Sequence, residues 1–359
     1  MSDRQALWQL LREVNLVDGE VPVSETAHSP WYIRTMQGMA GWIGAWFLLG
    51  FVGAGLAFVF KSEGMAFVVG LICCTAAYWM FRTLSRNGFA TQFALAMSLA
   101  GQLMVAFGLT KFVHHADESP VLFWSFALFE IGLAVVMPNF IHRVLSAYAA
   151  VVSLSIALLL QSVGPVFPGI LAAMLALIWL NEFRWAALAS PVRAIGYGLT
   201  LGLIQVDGQL LLGPLSGIWF RHLVEKSWVN PLFGSCLAGA VLVWAVFRLL
   251  ARYNVSPASR TGTTALAVAF IVAVLAIKAP GISAALLVLL LGFANANRTL
   301  LGLGVVALLG YLSYFYYQLD VTLLVKSAVL VGTGCVLIVA RFAINPLFPT
   351  IDKVEKKHA

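Results

Sequence analysis

The chain has 359 residues, of which 61% are hydrophobic and only 10% are charged, and its mean hydropathy is +0.92. A soluble domain carries roughly 25% charged residues, and a soluble fold of this length must expose part of its surface to water. The net charge of +7 is the basic excess expected of a membrane protein, and no basic run with interleaved aromatic residues indicates nucleic-acid binding. The composition therefore predicts an integral membrane protein that binds no nucleic acid.

The N-terminal segment, residues 1–37, is polar. Apolar residues recur in it at helical spacing from Leu7 to Val14, which predicts a short amphipathic helix. Trp31 and Tyr32 stand where an interfacial aromatic belt is expected. The first apolar run starts too late and is too long for a cleaved signal peptide. We therefore expect this segment to lie on the cytoplasmic side of the membrane.

The remainder of the chain alternates apolar runs with short polar breaks, and a membrane-spanning helix needs roughly 20 apolar residues. The sequence predicts an all-α, polytopic bundle over residues 38–343, followed by a basic cytoplasmic tail over residues 344–359. Between the seventh and eighth segments, residues 214–230 are predicted to form an interfacial helix or a re-entrant segment. About twelve spans are predicted, the tenth of them short: 38–60, 64–82, 89–110, 120–138, 143–162, 165–183, 193–212, 230–250, 262–278, 281–296, 299–317 and 320–343.

The distribution of basic residues predicts the orientation. With the N-terminus inside, sixteen of the 22 lysines and arginines fall in cytoplasmic segments and five on the opposite side, and Lys326 falls within the last predicted helix. Cytoplasmic loops of membrane proteins carry an excess of lysine and arginine. The bias predicts an even number of spans with both termini cytoplasmic.

Ionisable groups within apolar helices are the most informative residues, because burying a charge in a bilayer costs roughly 2.5–3.5 kcal/mol. Glu130 lies in the fourth predicted helix, and Asp207 lies in the seventh between Gln205 and Gln209. Lys326 lies about two turns into the last helix. These side chains are expected to face the bundle interior, since lipid offers them no partner.

Two interpretations of these groups remain open. In the functional one, Glu130 or Asp207 gains and loses a proton along a polar route through the membrane. In the structural one, the groups form interhelical pairs, for example Glu130 with Lys326, that fix the register of the helices. A lysine near an interface also extends its ammonium group towards water.

No other motif indicates chemistry. The sequence contains no nucleophile, metalloprotease or phosphate-binding signature, so we expect no catalytic residue, no cofactor and no metal. The loop His114-His115-Ala116-Asp117-Glu118 has the residue types of a transition-metal site, but adjacent loop residues seldom converge on one ion, which favours a solvated loop. The four cysteines lie in apolar runs without paired spacing. Gly198 and Gly202 form a GxxxG pattern, typical of closely packed helices.

An internal repeat is a further open alternative. A shift of 114 residues aligns four residues of one segment with identical residues of another: Asn181, Arg184, Gly196 and Tyr197 with Asn295, Arg298, Gly310 and Tyr311. Transporters carry repeats of this kind. Cytoplasmic turns with an arginine also resemble one another without common ancestry, and the sequence does not separate the two explanations.

The last quarter of the chain carries a recognisable pattern. The run from Asn297 to Gly304, the aromatic run from Tyr314 to Asp320 and the run from Thr322 to Ser327 resemble the bacterial membrane family described as domain of unknown function 4401. The segment from Pro30 to Arg34 is similar to the start of that family. The motif positions are Arg298, Tyr316, Tyr317, Thr322, Lys326 and Ser327.

The resemblance implies no activity and no catalytic residue. It implies a bacterial inner-membrane location, and a companion protein that is membrane-anchored and carries a GDYxxLxY motif. Helix number, interior carboxylates and short connections lead to one functional hypothesis, a transporter or permease-like protein for a small or amphiphilic solute. The alternative is a non-transporting membrane scaffold that binds the companion protein through the outer segment 213–230.

Overall fold

A computed structural model describes residues 63–85, 87–113, 119–182, 188–211, 228–230 and 232–318, together with isolated residues elsewhere. Within these ranges the regular elements are helices and none is a strand, which confirms the all-α prediction. The chain divides into two compact units. The first comprises residues 1–61 and 69–103, and the second comprises residues 62–68 and 104–359.

The described helices fall close to ten of the predicted spans. The predicted spans 38–60 and 320–343 lie mostly outside the described residues. The helices are α1 Glu63–Thr83, α2 Gly88–Leu109, α3 Pro120–Val136, α4 Phe140–Leu160, α5 Phe167–Leu180, α6 Ala189–Leu211, α7 Leu232–Arg252, α8 Arg260–Leu275, α9 Ile282–Ala294 and α10 Arg298–Gln318.

Six helices in the described ranges are long and apolar enough to cross a membrane: α1, α2, α4, α7, α8 together with the short 3₁₀ turn that follows it, and α10. The apolar helices α3, α5 and α9 are shorter than 18 residues. The chain thus has the helices of a membrane protein. A total of about twelve spans stays a prediction.

In the first unit, α1 and α2 approach each other closely at a glycine. A Cβ atom added at Gly101 would lie 2.8 Å from the Gly70 carbonyl oxygen and 2.9 Å from the Cys73 Cβ. The Trp42 indole, in the first predicted span, donates a hydrogen bond to the Gln92 side-chain oxygen at 3.0 Å. Small residues and polar contacts therefore hold the described helices of this unit together, as expected where lipid supplies no hydrophobic drive.

The core of the second unit is formed around two short helices, α5 and α9. Their inward residues, among them Leu175, Trp179, Leu287 and Leu291, are fully buried. α5 follows a turn that contains Pro165, while α9 follows Gly281, whose φ of +90° favours glycine. Asn181 and Asn295 cap the carboxyl ends of α5 and α9. Turn residues at both ends therefore limit these helices to 14 and 13 residues.

The GxxxG pattern lies at a close contact of α4 and α6, which confirms the close helix packing that it predicts. A Cβ added at Gly198 would lie 2.5 Å from the Ala147 Cβ and 2.6 Å from the Val144 carbonyl oxygen. One turn later, a Cβ at Gly202 would overlap the Val151 side chain. Glycine at these positions lets the two helix backbones approach each other.

Helices of the second unit alternate in direction, so their arginines gather at one end. Asn295 after α9 donates to the Trp179 carbonyl oxygen at the end of α5 (3.0 Å) and accepts from Arg252 at the end of α7 (3.2 Å). The Tyr197 hydroxyl, near the start of α6, donates to Asn297 at 2.9 Å. We call this the arginine end and the opposite one the far end. Its arginines are Arg143, Arg184, Arg193, Arg248, Arg252, Arg260 and Arg298.

The remaining basic residues that the structure describes in this unit are Lys111, ahead of α3, and Lys278, ahead of α9. At the arginine end, the buried Glu182 carboxylate pairs with Arg193, which is 54% exposed. The arginine end is therefore strongly basic, as expected of the cytoplasmic face of a membrane protein.

The internal repeat that the sequence left open matches the helix order but not the packing. Shifted by 114 residues, α3 to α6 fall near α7 to α10, and the two short helices α5 and α9 coincide. However, α4 packs closely on α6, whereas the corresponding helices α8 and α10 make no comparable contact within the described residues. The similarity thus extends to the order of the helices and to the lengths of two of the four pairs, α5 with α9 and α6 with α10.

Candidate functional site

Glu130 lies inside the second unit, on the face of α3 that packs against α4. The residue is fully buried, and six residues, or about 9 Å of helix, separate it from the end of α3 at the arginine end. The Ser146 hydroxyl of α4 lies beside the carboxyl group, but no hydrogen bond of good geometry joins either carboxyl oxygen to the described part of the chain. A buried carboxyl group without such bonds is costly to keep charged.

A line of polar groups connects Glu130 with the arginine end. His142 lies one turn before Ser146 on α4, and its Nδ1 is 3.4 Å from the Ser146 hydroxyl oxygen. Both side chains are fully buried. Asn139 accepts a hydrogen bond from the His142 backbone N–H and thereby caps the start of α4. His142, Ser146 and Glu130 therefore form a buried row that starts in the first turn of α4, and we call these three residues the polar row.

Asp207 occupies a different place, near the far end of α6. It is only 4% exposed, and its Oδ2 has no hydrogen-bond partner in the described residues. The carboxyl group is close enough to Tyr311 on α10 to act on it electrostatically. The Tyr311 hydroxyl donates to the Ile204 carbonyl oxygen at 2.9 Å, which fixes the ring between α6 and α10.

A cavity of about 620 Å³ opens beside Tyr311, between α4, α6 and α10. Its walls are mainly leucine, isoleucine and valine side chains, with polar atoms from Tyr148, Gln205, Tyr311 and Tyr314. We call it the tyrosine cavity. Gly208 and Gly310 belong to its lining, and a Cβ added to either would meet no atom within 4 Å. The missing side chains of these glycines are thus part of the reason the space exists.

The structure separates the polar residues that the sequence groups together on α6. Gln205 is exposed and lines the tyrosine cavity, whereas Asp207 is buried. Residues two positions apart in an α-helix are about 200° apart around its axis, so the side chains of Gln205 and Asp207 cannot share one face. The side chain of Gln209 lies outside the described residues, as does Lys326, so the predicted pairing of Glu130 with Lys326 stays a prediction.

Three of the six motif positions of the last quarter fall at the two ends of α10. Arg298 begins the helix at the arginine end. Tyr316 and Tyr317 lie in its last turn, their rings 5.6 Å apart in an edge-to-face arrangement, and Tyr317 is 79% exposed. The Ser327 hydroxyl donates to the Leu324 carbonyl oxygen at 2.8 Å. Thr322 lies outside the described residues.

Metal binding has no support in the described part of the chain, where no group of three or more histidine, cysteine or carboxylate residues converges. The loop of His114, His115, Asp117 and Glu118 lies outside it. Cys73, Cys74 and Cys236 form no disulfide.

The sequence analysis did not single out His142, Ser146 or Tyr311 as polar candidates. A signal for the first two exists, since a histidine and a serine four residues apart share one face of a helix. Their spacing marks the polar face of an otherwise apolar α4. For Tyr311 no local signal exists, because tyrosine is common in membrane helices and its role depends on its contact with α6.

A comparison with protein-family models gives a match to residues 30–346, which is most of the chain. The chain belongs to the family described as domain of unknown function (DUF4401). This confirms the resemblance seen in the last quarter of the sequence. No curated protein matches this DUF4401 protein, and no solved structure matches it.

Proposed function

We propose that this DUF4401 protein is a membrane transporter that moves a small or amphiphilic solute in exchange or symport with protons. The observation that carries the proposal is the Glu130 carboxyl group, fully buried and without a hydrogen bond of good geometry to the described residues. Ionisable groups inside helical membrane proteins commonly mark proton relays and solute pathways.

The polar row gives the proton a route. A proton entering at the arginine end reaches His142 first, passes by the Ser146 hydroxyl and arrives at Glu130. The charged or titratable side chains that α4 brings to this contact are His142 and Arg143, and Arg143 donates to the Val135 carbonyl oxygen at 3.4 Å. Neutralising Glu130 by a proton removes the cost of its buried charge, so protonation and a change in helix packing are coupled.

The proposal includes an orientation in the membrane. The arginine end faces the cytoplasm, both termini lie on that side, and about twelve helices span the inner membrane of a bacterium. The seven arginines at one end support this orientation. The twelve-span count is supported by the apolar runs of the sequence, and the bacterial membrane by the family resemblance.

The test is a proton-flux measurement in proteoliposomes that contain the full chain and an internal pH-sensitive dye. Amino acids, sugars, organic acids and organic cations are added outside in turn. We expect at least one class to change the internal pH, and we expect Glu130→Gln to lower the initial rate by about 100-fold, on the scale of an essential proton-transfer group. The proposal is refuted if none of the added compounds causes a protein-dependent proton flux, or if the initial rate of that flux is unchanged in Glu130→Gln.

Glu182→Gln is the matched control. It makes the same chemical change at a buried glutamate that pairs with Arg193 at the arginine end, outside the polar row. We expect its flux to equal that of the unaltered protein. A similar loss in both variants would show that the effect of Glu130→Gln is a general loss of structure.

A second candidate is the non-transporting scaffold that binds a companion protein with a GDYxxLxY motif. The observation that favours it is Trp228, which is 88% exposed at the far end, where its backbone N–H donates to the Ser162 carbonyl oxygen at 3.1 Å. An exposed tryptophan is a common anchor of protein interfaces. Purification of the tagged protein from its native membrane tests this candidate, since a stoichiometric single-span partner would support it.

A further inference from the structure

The arginine end contains a cavity of about 420 Å³ between the end of α5 and the last turns of α7. Three arginines line it: Arg184 in the turn after α5, and Arg248 and Arg252 on α7. Within the described part of the chain no carboxylate belongs to the lining, whose other members are Leu180, Asn181 and Ala251. We call this space the basic cavity, and its charge is that of an anion-binding site.

The negative groups described nearby do not neutralise these arginines. Among the described residues, the buried Glu182 is paired with Arg193, and no carboxylate pairs with Arg184 or Arg248. The helices α5, α7 and α9 end on this side, and the carboxyl end of a helix carries about half a negative charge. Three such ends offset about one and a half of the three positive charges, so the excess is large enough to bind one phosphate group.

The basic cavity lies at the level of the lipid headgroups. The Arg248 guanidinium carbon lies 5.9 Å from the ring centroid of Trp244, one turn earlier on α7, and Trp244 is partly exposed. Tryptophans of membrane helices are concentrated at the membrane–water interface. Guanidinium groups bind phosphate through paired hydrogen bonds, and basic pockets between membrane helices bind anionic headgroups. The phosphate group most accessible to these arginines is therefore that of a membrane lipid.

A second cavity offers a place for an acyl chain. It has a volume of about 460 Å³, lies between α5 and α6, and shares Asn181 and Arg184 with the basic cavity. A soluble anion has no apolar part to fill this space, whereas a phospholipid joins a phosphate group to apolar chains. The other lining residues of this adjoining apolar cavity are Leu177, Ile178, Leu188, Val192 and Ile195.

We propose that the arginine end binds one anionic phospholipid, with its phosphate group in the basic cavity beside Arg184, Arg248 and Arg252 and an acyl chain in the adjoining apolar cavity. The lipid contacts α5, α6 and α7, and none of its contacts is a member of the polar row. Lipid binding does not depend on the proposed transport, so either can fail without the other.

The test compares two lipids with the same acyl chains: dioleoylphosphatidylglycerol, which is anionic, and dioleoylphosphatidylcholine, which is zwitterionic. Native mass spectrometry of the delipidated full chain in neutral detergent measures the dissociation constant of the first bound molecule of each. We expect the anionic lipid to bind at least about 10-fold more tightly than the zwitterionic one. We expect Arg184→Gln and Arg248→Gln each to weaken binding of the anionic lipid by about 10-fold, the effect of one nearby charge.

Arg260→Gln is the matched control. It removes the same charge from an exposed arginine at the arginine end, in the first turn of α8, which lines neither cavity. Arg184 and Arg248 are also exposed, so we expect all three variants to fold. We expect Arg260→Gln to bind the anionic lipid as the unaltered protein does. An equal loss of binding in this control would show a general attraction to the basic surface and would overturn the assignment of the site.

Glycerol 3-phosphate separates a lipid from a soluble phosphate compound, because it carries the phosphate group without acyl chains. We expect millimolar glycerol 3-phosphate not to displace the bound anionic lipid. Displacement at that concentration would show that the acyl chains contribute little, and it would overturn the assignment to a lipid. Equal binding of the two lipids would show that charge does not select the ligand, and absence of binding would exclude this ligand class; either overturns the proposal.

Discussion

Replacing Gly198 by alanine tests whether the contact of α4 and α6 is as tight as the structure has it. The added Cβ would lie 2.5 Å from the Ala147 Cβ and 2.6 Å from the Val144 carbonyl oxygen, whereas carbon atoms pack favourably at about 3.5–4.0 Å. Because the carbonyl oxygen belongs to the backbone, no side-chain rotation relieves the overlap. The helices must separate by about 1 Å, and overpacking of this kind typically costs about 1–3 kcal/mol.

Gly208→Ala, on the same helix, is the matched control. Its added Cβ meets no atom within 4 Å, and both substitutions share the gain of up to about 1 kcal/mol that alanine brings to a helix. The difference between the two variants therefore isolates the packing cost. We expect the free energy of unfolding of Gly198→Ala to be about 1–3 kcal/mol lower than that of Gly208→Ala. Tryptophan fluorescence during SDS titration in mixed micelles measures it, and equal stabilities would refute the close contact.

Two further predictions concern the arginine end. Asn295→Ala removes the hydrogen bonds to Trp179 and Arg252, and we expect it to lower the free energy of unfolding by about 1–2 kcal/mol in the same titration. Asn181→Ala is the control, because among the described residues its side chain bonds only to its own helix, and we expect a smaller loss. A larger loss in Asn181→Ala would contradict the hydrogen bonds assigned to Asn295. In a cysteine-free background, a membrane-impermeant maleimide should label Lys278→Cys in intact cells but Ala258→Cys only after permeabilisation, and the reverse pattern would invert the proposed orientation.

The helices were predictable from the sequence because each is an apolar run between polar or turn-forming residues. Asn181 and Asn295 mark the ends of α5 and α9 both in the sequence and in the structure. The GxxxG pattern also predicted a close helix contact correctly, although not its partner α4, because glycine at that spacing is typical of closely packed helices.

The sites were less predictable, because their geometry depends on rotation about the helix axis and on neighbours that are distant in sequence. In the sequence Gln205 and Asp207 suggest one polar patch, yet in the structure they lie on opposite sides of α6. Tyr311 gains its position from a hydrogen bond to Ile204, more than a hundred residues earlier. Glu130 was recognised from its apolar surroundings, but Ser146 and His142, which lie between it and the arginine end, became visible only when α3 and α4 were paired.

The length of α9 has a consequence for how the protein is made. Its 13 residues extend about 20 Å, short of the roughly 30 Å of a hydrocarbon core. A segment of this length is a weak signal for membrane insertion on its own. The non-helical residues that adjoin so short a helix are tolerated at membrane depth only where other parts of the protein cover them. In the proposed twelve-span topology, α9 therefore enters the bilayer together with α10, the helix that packs most closely on it. The core of the second unit contains Leu300 of α10, so it closes only after α10 has been synthesised.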